Sequence, residues 1–293
     1  MREFEYLEPT SVQEACRMLA DYGEECRMIA GGTAMMLAMR QRMLTPKYLV
    51  SLGKLRRLRG VSYDEQQGLV VGALTLHAEV ARSALIREKF PMLAEMASHV
   101  ANPQVRNQGT IGGNLCYADP ATDPPSCLMA LDASVVLEGV GRQRELSIEA
   151  FLVDYYTTAL EPDEMVTAIR VPPATFTAGR HVRYLRTAAE HRPLLNVACT
   201  IRQSGSICEE ARIVVGASTP VPTRVRRCEA FLAGRPATIE VAAEAALILA
   251  SDIEPISDFR GSGEYRREMI KIIGRRTLEG LFMHTTLVEA KSL

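Results

Sequence analysis

Two glycine pairs constrain this chain more than any other feature of its sequence. Gly31-Gly32 lies between a predicted strand and a predicted helix and precedes Thr33, and Gly112-Gly113 follows Thr110 closely. Because glycine has no Cβ, such segments take positive φ angles and bring backbone N–H groups close to an anion such as phosphate. We expect the amides of both pairs to converge on one pyrophosphate. A plain tight turn is the alternative interpretation of the first pair.

Neither glycine pair has the spacing of a common nucleotide-binding motif. The sequence around them lacks both GxGxxG and GxxxxGK[ST]. These motifs are typical of dinucleotide-binding Rossmann folds and of P-loop ATPases. The spacing therefore disfavours both classes of protein.

The residues around the first pair predict a small parallel α/β unit. A helix over 11–22 begins at a Thr10 or Ser11 cap and ends at Gly23. Strands are predicted over 26–30 and 48–52, with a helix from 34 to about 43 between them. Strand, helix and strand in this order favour parallel pairing.

The rest of the chain predicts a second layer of strands and a separate C-terminal domain. The Pro-, Thr- and Ala-rich stretch 172–179 is the best candidate boundary. We therefore predict a first domain over 1–175, with subdomains of about 1–60 and 61–175, and a C-terminal domain over 176–293. The predicted elements beyond residue 60 are strands over 68–73, 165–171, 181–187, 196–202 and 209–216, a hairpin of 133–137 with 144–146, and helices over 90–100, 224–232, 239–251 and 265–282.

Composition and charge exclude several classes of function. The 293 residues carry a formal net charge of −1, which argues against a nucleic-acid partner. Seven cysteines are scattered without a CxxC pair, so we expect buried thiols, and no iron–sulfur cluster bound by this chain. No signal peptide and no apolar run of about 20 residues are evident, so we predict a cytoplasmic protein without a membrane span.

Two carboxylates follow the second glycine pair in a proline-rich turn. Asp119 and Asp123 suggest a metal site, but two carboxylates without further grouped ligands make a poor one. Asp119 precedes a proline, which is typical of a turn start. Asp123 is better placed to accept hydrogen bonds from ligand hydroxyl groups. No set of residues has the pattern of a catalytic constellation, so we predict neither a catalytic residue nor a metal ligand in this chain.

At the glycine pairs the sequence resembles a known family. Ala30-Gly31-Gly32-Thr33 and Thr110-Ile111-Gly112-Gly113-Asn114, with Asp123 following, are similar to motifs of the FAD-binding (medium) subunits of the xanthine dehydrogenase / carbon monoxide dehydrogenase family of molybdenum hydroxylases. The resemblance covers nearly the whole chain. Further matching segments are 4–11, 160–164, 169–172, 216–224 and 259–266.

The resemblance implies an α+β fold in two domains. The first is a two-part FAD-binding domain of the vanillyl-alcohol-oxidase (PCMH) type. The second is a smaller C-terminal domain with a three-stranded antiparallel sheet and a helix bundle.

The resemblance also assigns site residues. Two loops enclose the pyrophosphate, Asp123 binds the sugar-like portion of the flavin, Val100 packs near the adenine and Arg186 lies close to the flavin. A solvated surface arginine is the alternative for Arg186. The first loop comprises Met28, Ile29, Ala30, Gly31, Gly32, Thr33, Ala34 and Met35, and the second comprises Thr110, Ile111, Gly112, Gly113 and Asn114.

The function implied by the resemblance is electron transfer within an oxidoreductase complex. FAD, held without a covalent bond, takes electrons from a small [2Fe–2S] subunit and passes them to NAD⁺, O₂ or another acceptor. A large molybdopterin subunit hydroxylates the substrate, and the complex is a dimer of heterotrimers. The alternatives are a stand-alone flavin oxidoreductase of the same fold and a non-redox nucleotide-binding scaffold.

A methionine-rich stretch follows the first loop. Met36, Met39 and Met43 fall at spacings of three and four, so they are predicted to line one face of a helix. That face either contacts a partner subunit or fills the core of the domain.

Overall fold

The structure is a computed structural model that describes residues 2–187 and 189–291. Its strands are β1 (Glu5–Leu7), β2 (Cys26–Ile29), β3 (Tyr48–Ser51), β4 (Val61–Asp64), β5 (Gly68–Gly72), β6 (Ser134–Gly139), β7 (Arg142–Ser147), β8 (Leu152–Asp154), β9 (Thr157–Thr158), β10 (Met165–Val171), β11 (Ala178–Tyr184), β12 (Leu195–Ser204), β13 (Ile207–Gly216), β14 (Thr223–Arg224) and β15 (Arg235–Pro236).

Twelve α-helices occur in the described residues, together with short 3-10 helices at Gly23–Glu25 and Arg56–Leu58. The α-helices are α1 (Val12–Tyr22), α2 (Met35–Arg40), α3 (His77–Arg82), α4 (Ala84–Lys89), α5 (Pro91–His99), α6 (Pro103–Arg106), α7 (Ile111–Tyr117), α8 (Pro124–Ala130), α9 (Ile148–Phe151), α10 (Arg226–Leu232), α11 (Ile239–Asp252) and α12 (Gly263–Lys291).

The chain divides into two compact units that are discontinuous in sequence. The first unit consists of Met1–Leu85, Ala97–Asp119 and Ala133–Pro173. The second unit consists of Ile86–Met96, Pro120–Asp132 and Ala174–Leu293. Two short segments from the N-terminal half of the chain therefore pack with the C-terminal half, and α8 is one of them.

The first unit contains a parallel sheet in the order β1-β3-β2. The predicted parallel pairing is confirmed, since Cys26 pairs with Tyr48 and Ile29 with Ser51 in parallel register. Helix α1 begins where Ser11 Oγ accepts the Glu14 N–H at 3.1 Å, and it ends at Gly23 with φ +51°. The short strand β1 was not predicted from the sequence.

A second, antiparallel sheet of the first unit has the order β4-β5-β10-β6-β7. Its β6–β7 hairpin is the one predicted from the sequence, and β10 has the predicted bounds. The apolar core of this unit lies between α1, the parallel sheet and β10. It is formed by Val12, Ala15, Cys16, Cys26, Val50, Leu52, Leu55, Leu58 and Met165.

The second unit is built on an antiparallel sheet of three long strands, β11-β12-β13. Two strands of two residues each, β14 and β15, also pair with β13. The prediction of a three-stranded sheet accounts for the long strands and leaves out the short ones. Helix α8 packs on β12 and β13, and α12 packs on β11, β12 and α11.

The segment 259–266 has a structural role in the second unit. Arg266 is fully buried and donates to the carbonyl oxygens of Leu194 and Ala217 at 2.5 and 2.9 Å. Its other terminal nitrogen donates to Asp258 Oδ1 at 2.6 Å. A buried guanidinium is stable only with such partners, so this residue holds three segments of backbone together.

The methionine face predicted after the first loop does not form. Helix α2 ends at Arg40, so Met43 lies beyond it and is 75% exposed, whereas Met39 is 3% exposed. The prediction of one continuous face is therefore wrong, and for Met39 the core interpretation is the correct one. The expectation of buried thiols holds for six of the cysteines and is wrong for Cys116, which is exposed.

The segment 160–164, which resembles the family in sequence, also has a structural role. It links β10 to the β6–β7 hairpin. Arg144 donates to both carboxylate oxygens of Glu164, at 2.9 and 2.7 Å. The Glu164 side chain is 1% exposed, and its pKa lies below the usual range chiefly because of the Arg144 hydrogen bonds. Glu164 Oε2 also accepts the Glu161 N–H at 2.9 Å.

We expect Glu164→Ala to lower the free energy of unfolding by about 2 kcal/mol, because Arg144 and the Glu161 N–H then lose their shared partner. Glu145→Ala is the control, since Glu145 pairs with Arg170 in the same sheet and both side chains are nearly half exposed. Its expected effect is below about 0.5 kcal/mol. Urea unfolding measures both, and equal effects would contradict this account.

Candidate functional site

The second glycine pair is fixed by the backbone that precedes α3. The Ile111 N–H donates to the Thr75 carbonyl oxygen at 3.0 Å, and the Gly112 N–H donates to that of Ala73 at 2.9 Å. A Cβ on Gly112 would lie 2.6 Å from the Ala73 Cβ. Glycine is therefore required at position 112 by packing inside the first unit.

The next two amides are used to cap α7. Thr110 Oγ1 accepts the Gly113 N–H at 3.1 Å, and the Thr110 carbonyl oxygen accepts the Asn114 N–H at 3.0 Å. All four amides from Ile111 to Asn114 thus donate within the protein. Because these bonds already use the four amides, the role of the second glycine pair toward a pyrophosphate stays a prediction.

The first glycine pair has the opposite property. Among residues 2–187 and 189–291, no acceptor receives the backbone N–H groups of Gly31, Gly32, Thr33, Ala34 or Met35. The loop turns at Gly32, whose φ is +69°, and these five residues are partly exposed. Consecutive backbone donors without partners form a typical anion-binding concavity.

The two loops meet through backbone contact. A Cβ on Gly31 would lie 2.0 Å from the carbonyl oxygen of Gln108, so only glycine permits this approach. Thr33 Oγ1 lies 3.5 Å from the Cβ position of Gly109, and Ala30 Cβ lies 3.9 Å from that of Gly113. The structure therefore brings residues 28–35 and 110–114 together in the first unit.

His77 packs against Gly109, next to the contact between the two loops. Its backbone N–H donates to the Gly109 carbonyl oxygen at 3.1 Å, and its ring Cδ2 lies 3.4 Å from the Gly109 Cβ position. The side chain is 2% exposed, and Nδ1 has no hydrogen-bond partner in the described residues. Burial, with a smaller contribution from Arg106, lowers the pKa of His77 to about 4. His77 is not among the site residues predicted from the sequence, because nothing in its local pattern distinguishes it.

Asp123 lies in the second unit, at the start of α8, and is 3% exposed. Its Oδ1 accepts a hydrogen bond from Asn196 Nδ2 at 3.2 Å, and its Oδ2 lies 3.5 Å from Arg183 Nε. His181 Nε2 lies 3.8 Å from Oδ1 and 3.4 Å from Ser126 Oγ. One ring nitrogen faces both groups, so these residues do not form a Ser–His–Asp triad, which needs opposite nitrogens.

Val100 and Arg186, the two remaining residues predicted to contact FAD, lie in different surroundings. Val100 is 6% exposed, and its carbonyl oxygen accepts Arg106 Nη1 at 2.9 Å. Arg186 is paired in the second unit with Glu190, through Nε at 3.0 Å and Nη2 at 2.5 Å, and Nη1 donates to the Phe259 carbonyl oxygen at 3.4 Å. Their roles toward adenine and flavin stay predictions.

Comparison with known proteins identifies the family of the chain. The model of the FAD binding domain in molybdopterin dehydrogenase matches residues 2–174, and that of the CO dehydrogenase flavoprotein C-terminal domain matches residues 180–281. The chain belongs to the FAD-binding medium subunits of the molybdenum hydroxylase family. It is thus an FAD-binding oxidoreductase subunit with a mixed helix and strand fold, an FAD-binding domain and a C-terminal domain.

Individual members of the family match over nearly the full chain. The carbon monoxide dehydrogenase medium chain of Hydrogenophaga pseudoflava is 32% identical over 278 residues, which cover 94% of this chain and 96% of the relative. The solved structure of that organism's carbon monoxide dehydrogenase superposes with a TM-score of 0.92, 32% identity, and coverage of 96% and 98% of the two chains. Quinoline 2-oxidoreductase from Pseudomonas putida 86 also gives 0.92, with 29% identity and coverage of 97% and 99%.

Two further observations concern the described residues only. Their helices include none with both the length and the apolar character needed to cross a bilayer. Within the same residues, three or more His, Cys, Asp or Glu side chains do not group in a way that could hold a metal ion. At Asp123 the neighbouring Arg183 also disfavours a cation.

We expect the stability of the chain to fall as pH falls from about 6.5 to about 4, because of His77. In this window the unfolded chain binds a proton at His77 that the folded chain excludes, so the slope reaches roughly 1.4 kcal/mol per pH unit. Below the pKa of His77 in the folded chain both states bind the proton, so His77 no longer contributes to the slope. His77→Gln should flatten the slope in urea unfolding between these pH values. An unaltered slope in His77→Gln would refute the assignment.

Proposed function

We propose that this subunit carries electrons from a [2Fe–2S] partner subunit to NAD⁺, O₂ or another acceptor through non-covalently bound FAD. The observation that supports the binding mode is the run of unpartnered backbone N–H groups from Gly31 to Met35. A pyrophosphate needs such donors, and the first loop has them. FAD supplies the redox chemistry when bound, and the chain supplies binding, orientation and electrostatics.

The two loops have different roles in this proposal. The first loop, from Met28 to Met35, binds the pyrophosphate through its amides. The second loop, from Thr110 to Asn114, supports the first loop by packing against it, because its own amides already have acceptors within the chain. Asp123 accepts a hydrogen bond from a hydroxyl group of the sugar-like portion, Val100 packs near the adenine, and Arg186 lies close to the flavin.

The wider setting of the subunit is also part of the proposal. We propose the PCMH type for the FAD-binding domain, with a domain boundary at residue 175. The partners are a small [2Fe–2S] subunit and a large molybdopterin subunit in a dimer of heterotrimers in the cytoplasm. The solved carbon monoxide dehydrogenase of Hydrogenophaga pseudoflava is described as a form that lacks the Mo-pyranopterin moiety of its molybdenum cofactor, so that relative belongs to a molybdenum enzyme, which supports a molybdopterin partner.

Gly32→Val should weaken FAD binding roughly tenfold or more, because a branched residue is strained at positive φ and the loop must shift. The added Cβ would also lie 3.0 Å from Ile29 Cδ1. Flavin content and the dissociation constant of FAD for the flavin-depleted full chain measure the effect.

Gly141→Val is the matched control for this substitution. Gly141 has φ +68°, against +69° for Gly32, and lies in the β6–β7 turn with no atom within 4 Å of its Cβ position. It carries the same backbone strain away from the loops, so FAD affinity should stay within about twofold of the wild type. Equal loss in both variants would show that the first loop has no special role.

The purified chain should not oxidise the natural substrate of the complex on its own, although slow NADH or dye diaphorase activity is expected. The described residues offer no metal-ligand cluster for that reaction. Substrate oxidation should appear only when the iron–sulfur and molybdenum subunits copurify with it. Turnover by the separate chain would favour a stand-alone flavin oxidoreductase, and a colourless chain that binds no flavin would favour a non-redox scaffold.

A further inference from the structure

Only one of the two carboxylate oxygens of Asp123 accepts a hydrogen bond from the described residues. Its Oδ1 accepts the Asn196 amide at 3.2 Å. Its Oδ2 faces Arg183 Nε at 3.5 Å, but accepts no hydrogen bond from any residue in the described part of the chain. Because a buried carboxylate normally accepts several hydrogen bonds, Oδ2 retains capacity for a further donor.

Asn196 makes two hydrogen bonds to the start of α8. It is fully buried on β12, and its Nδ2 also donates to the Thr122 carbonyl oxygen at 2.9 Å. It pairs across the sheet with Gly216 of β13, where a Cβ would lie 2.4 Å from Asn196 Oδ1. The two hydrogen bonds of Nδ2 therefore orient the amide toward the backbone and the side chain at the start of α8, whereas Oδ1 accepts no hydrogen bond in the described residues.

We propose that Asn196 is a positioning residue for flavin binding, which holds Oδ1 of Asp123 so that Oδ2 is presented to a hydroxyl group of the cofactor. This inference rests on the proposed function, specifically on Asp123 as the acceptor for a flavin hydroxyl. Asn196 acts through Asp123 and itself touches no reacting atom.

A neutral amide suits this position better than a charged group. Within the described residues, the charged or titratable groups facing Asp123 are Arg183 and His181 on β11 and Cys127 on α8. Burial raises the pKa of Cys127, with a further contribution from Asp123, so the thiol stays neutral. Arg183 already balances the Asp123 charge, and a second carboxylate in place of Asn196 would repel the first.

Asn196→Asp and Asn196→Ala test the proposal in the full chain. Thr200→Val is the matched control, because Thr200 is also buried on β12 and its Oγ1 bonds the Ala130 carbonyl oxygen of α8 at 3.2 Å. It breaks a comparable strand-to-helix bond without touching Asp123. The readouts are the FAD dissociation constant of the flavin-depleted chain and its melting temperature without flavin.

At about pH 8, both Asn196 variants should bind FAD roughly tenfold or more weakly, since a hydrogen bond to a charged group is lost. In Asn196→Asp the deficit relative to wild type should shrink as pH falls to about 5, because a protonated carboxyl group donates to Asp123 Oδ1 in place of the amide. His181 is present in both proteins. The FAD dissociation constant of the variant is therefore divided by that of the wild type at each pH, and the ratio reports the effect of the new carboxylate. Thr200→Val should lower the melting temperature and keep FAD affinity within about twofold.

Three results would overturn the proposal. The first is an Asn196 variant that loses stability as Thr200→Val does but binds FAD normally. The second is normal FAD affinity in Asp123→Ala, which has no acceptor; the proposed function still stands in that case if Gly32→Val loses flavin. If Asn196→Ala does not fold, the pH profile of Asn196→Asp decides alone. The third is an Asn196→Asp chain that stays unfolded at every pH, which would assign Asn196 to folding.

Discussion

The close approach of two backbones at Gly31 is the contact on which the rest of the site depends. A side chain there would overlap the Gln108 carbonyl oxygen, since its Cβ would lie only 2.0 Å away. Glycine at this position lets the first loop lie directly on the segment that leads into Thr110. That segment is held in turn by His77, whose N–H bonds Gly109. The position of the unpartnered amides of the first loop thus follows from the packing beneath them.

The two glycine pairs look alike in sequence, but glycine is required in each for a different structural reason. Gly112 is required because α7 packs against the Ala73 backbone, and its N–H is consumed by that contact. Gly32 is required because the first loop turns through positive φ, which leaves the following amides without internal acceptors. A loop that must bind an anion needs unsatisfied donors, and a loop that must support it needs satisfied ones.

Local sequence signals predicted the elements whose causes are local. The Ser11 cap, the parallel pairing of β2 and β3 and the β6–β7 hairpin all follow from cap residues, periodicity and turn glycines. Helix α2 was predicted too long, since the methionine spacing continues past its end at Arg40. The partners of the Gly112 amide and of Asp123 escaped prediction because they lie far away in the chain. Asn196 is 73 residues from Asp123, and no periodicity connects them.

Three buried or half-buried carboxylates in this chain show how structural and binding roles are told apart. Both oxygens of Glu164 accept Arg144, and both oxygens of Asp258 accept hydrogen bonds from Arg260 or Arg266. These two carboxylates have complete partners and serve the fold. Asp123 is as deeply buried as Glu164, yet only one of its oxygens accepts a hydrogen bond from the described residues. Its Oδ2 faces Arg183 Nε at 3.5 Å without a hydrogen bond, and the cofactor hydroxyl group proposed above would supply one.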